Sequence, residues 1–300
     1  MNSPCYEFLE WIDINKLEWD LLSQNKNAIE VLYKNQDKIN WVYFCNNTNP
    51  KMNQLLIENQ NKINWELLSG NKNAIEILNK NQDKIDWYNL SRNSNANKLI
   101  KANPDKINWY YLSENPNTIE LLKANPDKIN WSKLSLNKSD EAIELLIDNF
   151  ENINWNYLSL NKNNKAIELL KNNPDKINWY YLSMNTNINA IELLKTNYKK
   201  IDWYYLSRNK NAIELLNNNK NKINWYNLNL NNIELLKENK DKINWHCLSK
   251  NPNIFKLDYK QMAINFKEIA EEIIEKALNP DRIKRLSIIY NFEFKAWFDL

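Results

Sequence analysis

Residues 106–127 read KINWYYLSENPNTIELLKANPD, and close variants of this 22-residue stretch follow one another along most of the chain. Each variant is anchored by a Trp, and successive anchors are 20, 22 or 24 residues apart. The eleven anchors are Trp19, Trp41, Trp65, Trp87, Trp109, Trp131, Trp155, Trp179, Trp203, Trp225 and Trp245. Such recurrence is the sequence signature of a repeat architecture, in which each repeat is too small to fold alone and is stabilised by its neighbours.

The spacing of apolar residues predicts two short helices in each repeat. Ile stands two residues before Trp109 and Leu three residues after it, and the segment IELL at 119–122 places Ile and Leu three apart. Residues three apart share one face of a helix. We therefore predict a helix A that starts at Trp and a helix B over the IELL segment, with the Trp ring buried in the core between Ile and Leu.

Asparagine is predicted to mark the ends of both helices. The residue before Trp is Asn in most repeats and Asp at positions 86 and 202, and these two residue types share the N-cap role. Asn115-Pro116 has the pattern of a cap followed by Pro at the first helical position, which predicts the start of helix B there. Helix B is expected to stop at Asn125-Pro126, with Asn125 in a left-handed conformation. The variation in repeat length falls between helix A and helix B, so we expect a surface loop at that connection.

The predicted fold is all-α: an elongated α-solenoid of eleven two-helix repeats of about 22 residues with helical caps at both ends. Residues 1–17 are expected to form an N-terminal capping helix, residues 18–253 the repeat array, and residues 254–300 a C-terminal helical cap. Within that cap, an amphipathic helix is predicted around Ile264 to Leu278, and Asn279-Pro280 has the pattern of a new helix start. A leucine-rich β-solenoid has a similar period, but the Asn-Pro caps and the helical apolar spacing fit it less well.

The repeats, the opening EWIDINKLEWDLLSQN (10–25) and the closing NPNIFKLDYKQMA (251–263) with ALNPDRIKR (277–285) resemble an Asn-rich repeat family of giant, mimivirus-like DNA viruses. The similarity covers essentially the whole chain. It implies a helical solenoid of uncharacterised function in host-cell cytoplasm or in the virion, and it implies no catalytic residues. The chain departs from the family pattern locally, for example at NKNAI (71–75) in place of NPNAI.

Composition argues against an enzyme, a metal site and a membrane protein. The chain has one His, His246, and one Gly, Gly70, which excludes two-His zinc motifs and Gly-rich phosphate loops. Its three cysteines are far apart and form no CxxC pair, which is typical of a reducing compartment. No secretion signal or run of ~20 apolar residues is present. We predict a non-enzymatic, non-secreted cytoplasmic protein without cofactor or metal.

Function is expected where the repeats differ while their framework stays fixed. The first, second and fifth positions after each anchoring Trp lie away from the predicted Trp and Leu face of helix A, and they are rich in Tyr. Exposed aromatic and Arg side chains are the usual anchors of protein interfaces. The candidate partner-binding residues are Tyr88, Tyr110, Tyr111, Tyr157, Tyr180, Tyr181, Tyr204, Tyr205, Tyr226, Arg92 and Arg208. The favoured partner is a viral or host protein; the opposite hypothesis is that these rings pack against the adjacent helix.

The alternative function is single-stranded nucleic acid binding, with bases stacked on aromatic side chains. A Lys three residues before most anchors would then follow the phosphates. This column comprises Lys84, Lys106, Lys128, Lys176, Lys200, Lys222 and Lys242. Asp usually precedes the Lys, and 40 basic against 37 acidic residues give a net charge of only +3, so the basic stripe of a nucleic-acid-binding protein is missing. The sequence favours the protein partner.

Overall fold

The computed structural model describes residues 5–228, 232–277, 279, 282 and 285. Residues 8–255 form one compact body, and the described residues up to Glu7 and from Lys256 onward belong to a second. The chain is predominantly helical, and helix-turn elements recur with contacts between neighbouring helices. These recurring helices confirm the prediction of an all-α repeat fold.

A helix A begins at every anchoring Trp. The A helices are Trp19–Ser23, Trp41–Phe44, Trp65–Ser69, Trp87–Ser91, Trp109–Leu112, Trp131–Leu134, Trp155–Leu160, Trp179–Met184, Trp203–Leu206, Trp225–Leu228 and Trp245–Ser249. The predicted N-cap is confirmed, because the side chain of Asn108 accepts a hydrogen bond from the Tyr111 N–H at 3.1 Å. Asp86 makes the same bond to the Asn89 N–H at 2.8 Å, which explains why Asp replaces Asn there.

A helix B follows each helix A except the last. The B helices are Ile29–Lys34, Met52–Glu58, Ile75–Lys80, Asn97–Ala102, Ile119–Lys123, Asp140–Asp148, Asn164–Asn172, Ile188–Thr196, Ile213–Asn217 and Ile233–Glu238. A short 3-10 helix then leads to the next Trp. These 3-10 helices are Gln36–Lys38, Gln60–Lys62, Gln82–Lys84, Pro104–Lys106, Pro126–Lys128, Phe150–Asn152, Pro174–Lys176, Tyr198–Lys200, Lys220–Lys222 and Lys240–Lys242. Two further 3-10 helices, Lys26–Ala28 and Pro252–Ile254, follow the first and the last helix A.

The two predicted ends of helix B are wrong in detail. Helix B of the quoted stretch starts at Ile119 rather than at Asn115, because the Asn115 side chain is used in contacts with the preceding repeat. At its end, Asn125 has φ −137° and ψ 63°, which is not the left-handed conformation. The Asn125 amide instead donates to the Leu121 carbonyl at 2.9 Å and so satisfies one of the free carbonyls at the end of the helix.

The core lies between the two helices of each repeat and their neighbours. The Leu three residues after Trp is fully buried, as in Leu112 and Leu182, and so is the second aliphatic of helix B, as in Leu122 and Leu194. The Ile before Trp is mostly buried, with 7% exposure at Ile177. Each repeat thus contributes a small apolar layer that its neighbours cover.

A column of buried serines links each helix A to the next. The Ser91 hydroxyl donates to the Trp87 carbonyl at 2.6 Å and accepts from the Asn108 N–H of the following repeat at 3.0 Å. Cys45 takes this position in the second repeat, where its Sγ accepts from the Asn64 N–H at 3.3 Å. Ser113, Ser135, Ser159, Ser183 and Ser207 repeat the arrangement.

A column of buried asparagines, which we call the Asn ladder, stacks the turns between helix A and helix B. The Asn115 amide donates to two carbonyls of the preceding repeat, those of Ser91 at 3.0 Å and Asn93 at 3.1 Å. Its Oδ1 accepts from the Asn117 N–H of its own turn at 3.1 Å. The members with both carbonyl bonds are Asn25, Asn47, Asn71, Asn93, Asn115, Asn137, Asn161, Asn185 and Asn209.

The repeat array closes on itself. The Asn25 amide, in the first turn, donates at 3.1 Å to the carbonyls of both Ser249 and Asn251, in the last turn. The Glu18 N–H donates to the Ser249 hydroxyl at 2.8 Å, and the first helix A contacts the last. These are the bonds that join consecutive repeats elsewhere, so residues 8–255 form a closed ring. The elongated array of the sequence prediction is corrected, since a ring leaves no end for a cap to cover.

The predicted N-terminal capping helix over residues 1–17 is also corrected for the residues described. Tyr6–Phe8 is a β-strand that pairs with Phe255–Leu257, and Ile14–Lys16 is a 3-10 helix. Leu17 is buried at 7% exposure in the position that Ile holds before the other anchors. Asp13 to Trp19 is therefore the start of the first repeat, and of the apolar residues before it Tyr6 and Phe8 lie in the strand.

After the second strand, the helix Tyr259–Ala277 covers most of the amphipathic segment predicted around Ile264 to Leu278. The predicted start at Asn279-Pro280 and most of the C-terminal cap beyond it lie outside the described residues. Among the helices that the structure describes, none is long and apolar enough to cross a membrane.

Candidate protein-binding surface

The residue directly after Trp is exposed in every repeat where it is Tyr. The exposed fractions are 61% for Tyr88, 48% for Tyr110, 41% for Tyr180, 49% for Tyr204 and 53% for Tyr226. Helix A places this position about 100° from the Trp, away from the Leu that enters the core. The predicted exposure of these five rings is confirmed.

The residue two after Trp behaves differently. Tyr111, Tyr157, Tyr181 and Tyr205 are half-buried. Within a repeat, the two neighbouring rings meet edge to face, with centroids 5.0 Å apart for Tyr110 and Tyr111. For these four residues the alternative of packing against the array is therefore partly correct, and they support the exposed rings.

The rings also make contacts from one repeat to the next. Tyr88 meets Tyr111 with centroids 6.1 Å apart, and Tyr180 meets Tyr205 at 4.0 Å. The hydroxyls of Tyr180 and Tyr205 are 2.5 Å apart, and this hydrogen bond, with smaller contributions from desolvation and nearby charge, raises the pKa of Tyr180 to about 12. Contacts within the chain thus hold the exposed rings of Tyr88, Tyr110 and Tyr180 in place.

Where the second position is not Tyr, other side chains continue the surface. Lys133 lies 5.2 Å from the ring centroid of Tyr110, 5.6 Å from that of Tyr111 and 5.9 Å from that of Tyr157. Its ammonium also pairs with Glu114 at 3.3 Å. A hydrogen bond to Cys247 raises the pKa of the Tyr226 hydroxyl. We call the first and second positions after Trp, from Tyr88 to Tyr226, the tyrosine stripe.

The fifth position after Trp contributes the two predicted arginines. Arg92 and Arg208 are both exposed and lie one helical turn from Tyr88 and Tyr204 respectively. The sequence prediction missed Val42 and Tyr43, which hold the same first and second positions after Trp41 and are 50% and 38% exposed. Their position relative to Trp41 is the signal that identifies them.

The anchoring tryptophans are not the fully buried core residues that the sequence suggested. Every one of them is half-buried, and a Lys from the following repeat covers the ring in most repeats. Lys106 lies 5.1 Å from the Trp87 ring centroid, and Lys128 lies 4.7 Å from that of Trp109. The same contact is made by Lys38, Lys62, Lys84, Lys200 and Lys222 on the preceding Trp, and by Lys16 on Trp245 across the ring closure. The Trp is too large for the thin core layer, and the Lys completes its cover by a cation–π contact.

Among the residues described, no group of three or more His, Cys, Asp and Glu side chains is placed to hold a metal ion. Comparison of the chain with family models, with curated proteins and with solved structures gave no match.

Proposed function

We propose that the chain is a non-enzymatic scaffold of eleven repeats that binds a protein, viral or host, through the tyrosine stripe. The observation that carries the proposal is the exposure of five Tyr rings at one and the same position of the repeat, between 41% and 61%. A large aromatic side chain that contributes little to the core of its own chain gains most of its burial on binding.

The organisation of the stripe supports a protein partner. Tyr presents a broad, rigid surface with a polar tip and loses little conformational entropy when it is bound. The contacts between Tyr180, Tyr181 and Tyr205 reduce that loss further, because the rings are already ordered. Arg92 and Arg208 add exposed positive charge beside the rings, so the partner surface is expected to carry carboxylates that face these guanidinium groups.

The alternative of base stacking on the Trp row has less support. A Lys lies within about 5 Å of most Trp ring centroids, where a base would have to stack. The same lysines are the ones that the alternative assigned to phosphates. Binding in that mode requires that each Lys leave its ring.

The test compares two triple variants in quantitative affinity purification from cells that contain the natural partners. Tyr88→Ala, Tyr110→Ala and Tyr204→Ala remove three exposed rings of the stripe. Ile57→Ala, Ile147→Ala and Ile188→Ala remove exposed apolar side chains of similar exposure, 48%, 46% and 60%, from the B helices. We expect one or more proteins to be depleted at least tenfold with the Tyr variant and retained with the Ile variant.

A partner set that is the same for both variants would contradict the proposal. A gel shift with single-stranded RNA at low salt tests the alternative, since binding that is lost on Lys106→Gln and Lys128→Gln but kept in the Tyr variant would point to the Trp row. Far-UV circular dichroism and thermal melting of each variant report whether the helices are intact.

A further inference from the structure

Neighbouring repeats are in close contact at the turns between helix A and helix B. Asn161 donates to the carbonyls of Ser135 at 2.9 Å and Asn137 at 2.7 Å, and Asn163 donates to the carbonyl of Lys138 at 3.0 Å. Direct bonds from short amide side chains to the neighbouring backbone require that the two turns be in close contact. The bond from the second Asn recurs from Asn49, Asn73, Asn95, Asn117, Asn187 and Asn211, and from Asn27 to Pro252 across the closure.

Neighbouring B helices lie further apart. A groove of about 290 Å³ lies between the helices Asn164–Asn172 and Ile188–Thr196. The next pair of B helices is joined by two long side chains, Lys195 and Glu214, at 3.0 Å. In a closed ring of similar repeats, the spacing between equivalent points grows with their distance from the ring axis. The A-to-B turns therefore lie closer to the ring axis than the B helices do, and we call the edge that these turns form the inner edge of the ring.

The residue seven positions after Trp lies in each of these turns. In eight of the turns described, its carbonyl is the one that the second Asn of the next repeat binds. In the ten turns that the structure describes completely, this column holds five Lys, three hydroxyl residues and two Pro. The column is Lys26, Thr48, Lys72, Ser94, Pro116, Lys138, Lys162, Thr186, Lys210 and Pro252. It contains no carboxylate and no aromatic ring, and all five lysines are exposed.

The charges of this column act on one another. Partial burial, followed by the charges of Lys138 and Lys210, lowers the pKa of Lys162 from its usual value. Lys138 is one repeat and Lys210 two repeats away from Lys162, so positive charges of successive turns act on one another along this edge. Asp140, the carboxylate closest in sequence to these lysines, is already engaged by Lys165 at 3.2 Å and by the Asn163 amide at 2.7 Å.

We propose that the inner edge of the ring binds a flexible phosphate polyanion, of the inorganic polyphosphate type, through Lys26, Lys72, Lys138, Lys162 and Lys210. Several ammonium groups of one sign that converge on one edge attract a chain of phosphates more strongly than isolated phosphate. With no aromatic side chain in the column, recognition is by charge and not by bases. This site is separate from the tyrosine stripe and does not depend on the proposed protein partner.

The experiment measures binding of fluorescently labelled inorganic polyphosphate to the full chain by anisotropy over a range of salt concentrations. Lys138→Gln, Lys162→Gln and Lys210→Gln remove the convergent charges. Lys101→Gln, Lys220→Gln and Lys240→Gln remove the same number of exposed charges from the helix B side of the repeats. We expect the first triple variant to weaken binding at least tenfold and to flatten its salt dependence, because fewer counterions are released, and the second to change affinity less than twofold.

Three outcomes would overturn the proposal. Wild-type protein that does not bind polyphosphate at micromolar concentration in low salt has no such site. Equal losses in both triple variants would show general surface attraction. Tighter binding of a single-stranded oligonucleotide with the same number of phosphates would show that bases, and not charge alone, are recognised. Thermal melting checks that the substitutions leave the fold unchanged, and unchanged polyphosphate binding by the Tyr variant separates this site from the stripe.

Discussion

At nine of the turns that the structure describes, one buried amide group donates to two backbone carbonyls of the preceding repeat. Asn137 does this for Ser113 and Asn115, with both distances at 3.0 Å. A buried carbonyl without a donor costs about 1–3 kcal/mol, so two such bonds explain why an amide is kept in an interior position. Ser lacks the reach for both bonds, and an aliphatic residue has no donor. One Asn per repeat in these nine turns is thereby explained.

We predict that Asn115→Ala lowers the free energy of unfolding by about 2–5 kcal/mol, because it leaves the carbonyls of Ser91 and Asn93 without their donor. Urea denaturation followed by circular dichroism measures the change. Asn79→Ala, at an exposed position of a B helix, is the control and is expected to change the free energy by less than about 0.5 kcal/mol. Similar values for the two variants would show that the ladder contributes little.

The Tyr180–Tyr205 hydrogen bond predicts that Tyr180 loses its proton at a higher pH than an unperturbed Tyr. The pKa of Tyr180 is raised to about 12, while an unperturbed Tyr in the unfolded chain titrates near 10. Between these values the folded state binds more protons than the unfolded state, so stability decreases as pH rises from about 10 to 12. Tyr33 and Tyr226 also have raised pKa values, so tyrosinate absorbance should show several late-titrating residues. The amplitude of the phase near pH 12 should fall in Tyr205→Phe, because Tyr180 loses its hydrogen bond. An unchanged amplitude near pH 12 in this variant would show that Tyr180 does not titrate there.

Among the elements, helix A could be predicted almost to the residue and helix B could not. An Asn or Asp before Trp, with Ile two before and Leu three after, permits one helix start, and the structure has it there. Helix B is preceded by several Asn whose roles differ. In the repeat that begins at Trp155, Asn161 belongs to the ladder while Asn163 caps helix B by accepting from the Lys165 N–H. Sequence alone does not distinguish an Asn that caps its own helix from one that binds the neighbouring repeat.

The N-cap of helix A can be tested by comparing two substitutions of Asn108. Asn108→Ala should destabilise the protein by about 1 kcal/mol, because the Tyr111 N–H loses its acceptor. Asn108→Asp should leave stability within about 0.5 kcal/mol, since Asp86 makes the equivalent bond at 2.8 Å in the neighbouring repeat. Chemical denaturation of the two variants side by side measures the difference. An Asp variant as unstable as the Ala variant would mean that the amide, and not its cap oxygen, is what helix A needs.

For the ring as a whole, the sequence shows which residues repeat but not the small rotation between consecutive repeats. The ring closes when these rotations add up to a full turn. Each rotation arises because neighbouring turns are closer together than neighbouring B helices. The bond from Asn25 to Ser249 is chemically the same as the one from Asn47 to Ser23, so no residue type identifies the closing contact. The tyrosine stripe was accessible from sequence because it follows the helical period. The inner lysine column could not be predicted from the sequence, because its residues lie on one inner edge only when the array is closed.

Closure predicts that the first and last A helices are as close as any two consecutive ones. Asp20 and His246 hold the exposed position directly after Trp19 and Trp245, and Tyr88 and Tyr110 hold it in two consecutive repeats. Spin labels at 20 and 246 should therefore broaden one another's electron paramagnetic resonance spectrum as strongly as labels at 88 and 110, since packed helix axes lie about 8–10 Å apart. An additional Ser249→Ala with Asn25→Ala removes three of the hydrogen bonds across the closure, those from Glu18 to Ser249 and from Asn25 to Ser249 and Asn251. The bond from Asn27 to Pro252 remains, and the double variant is expected to weaken the broadening of the first pair alone. Labels at 20 and 246 without any broadening, beside a broadened 88 and 110 pair, would establish an open array.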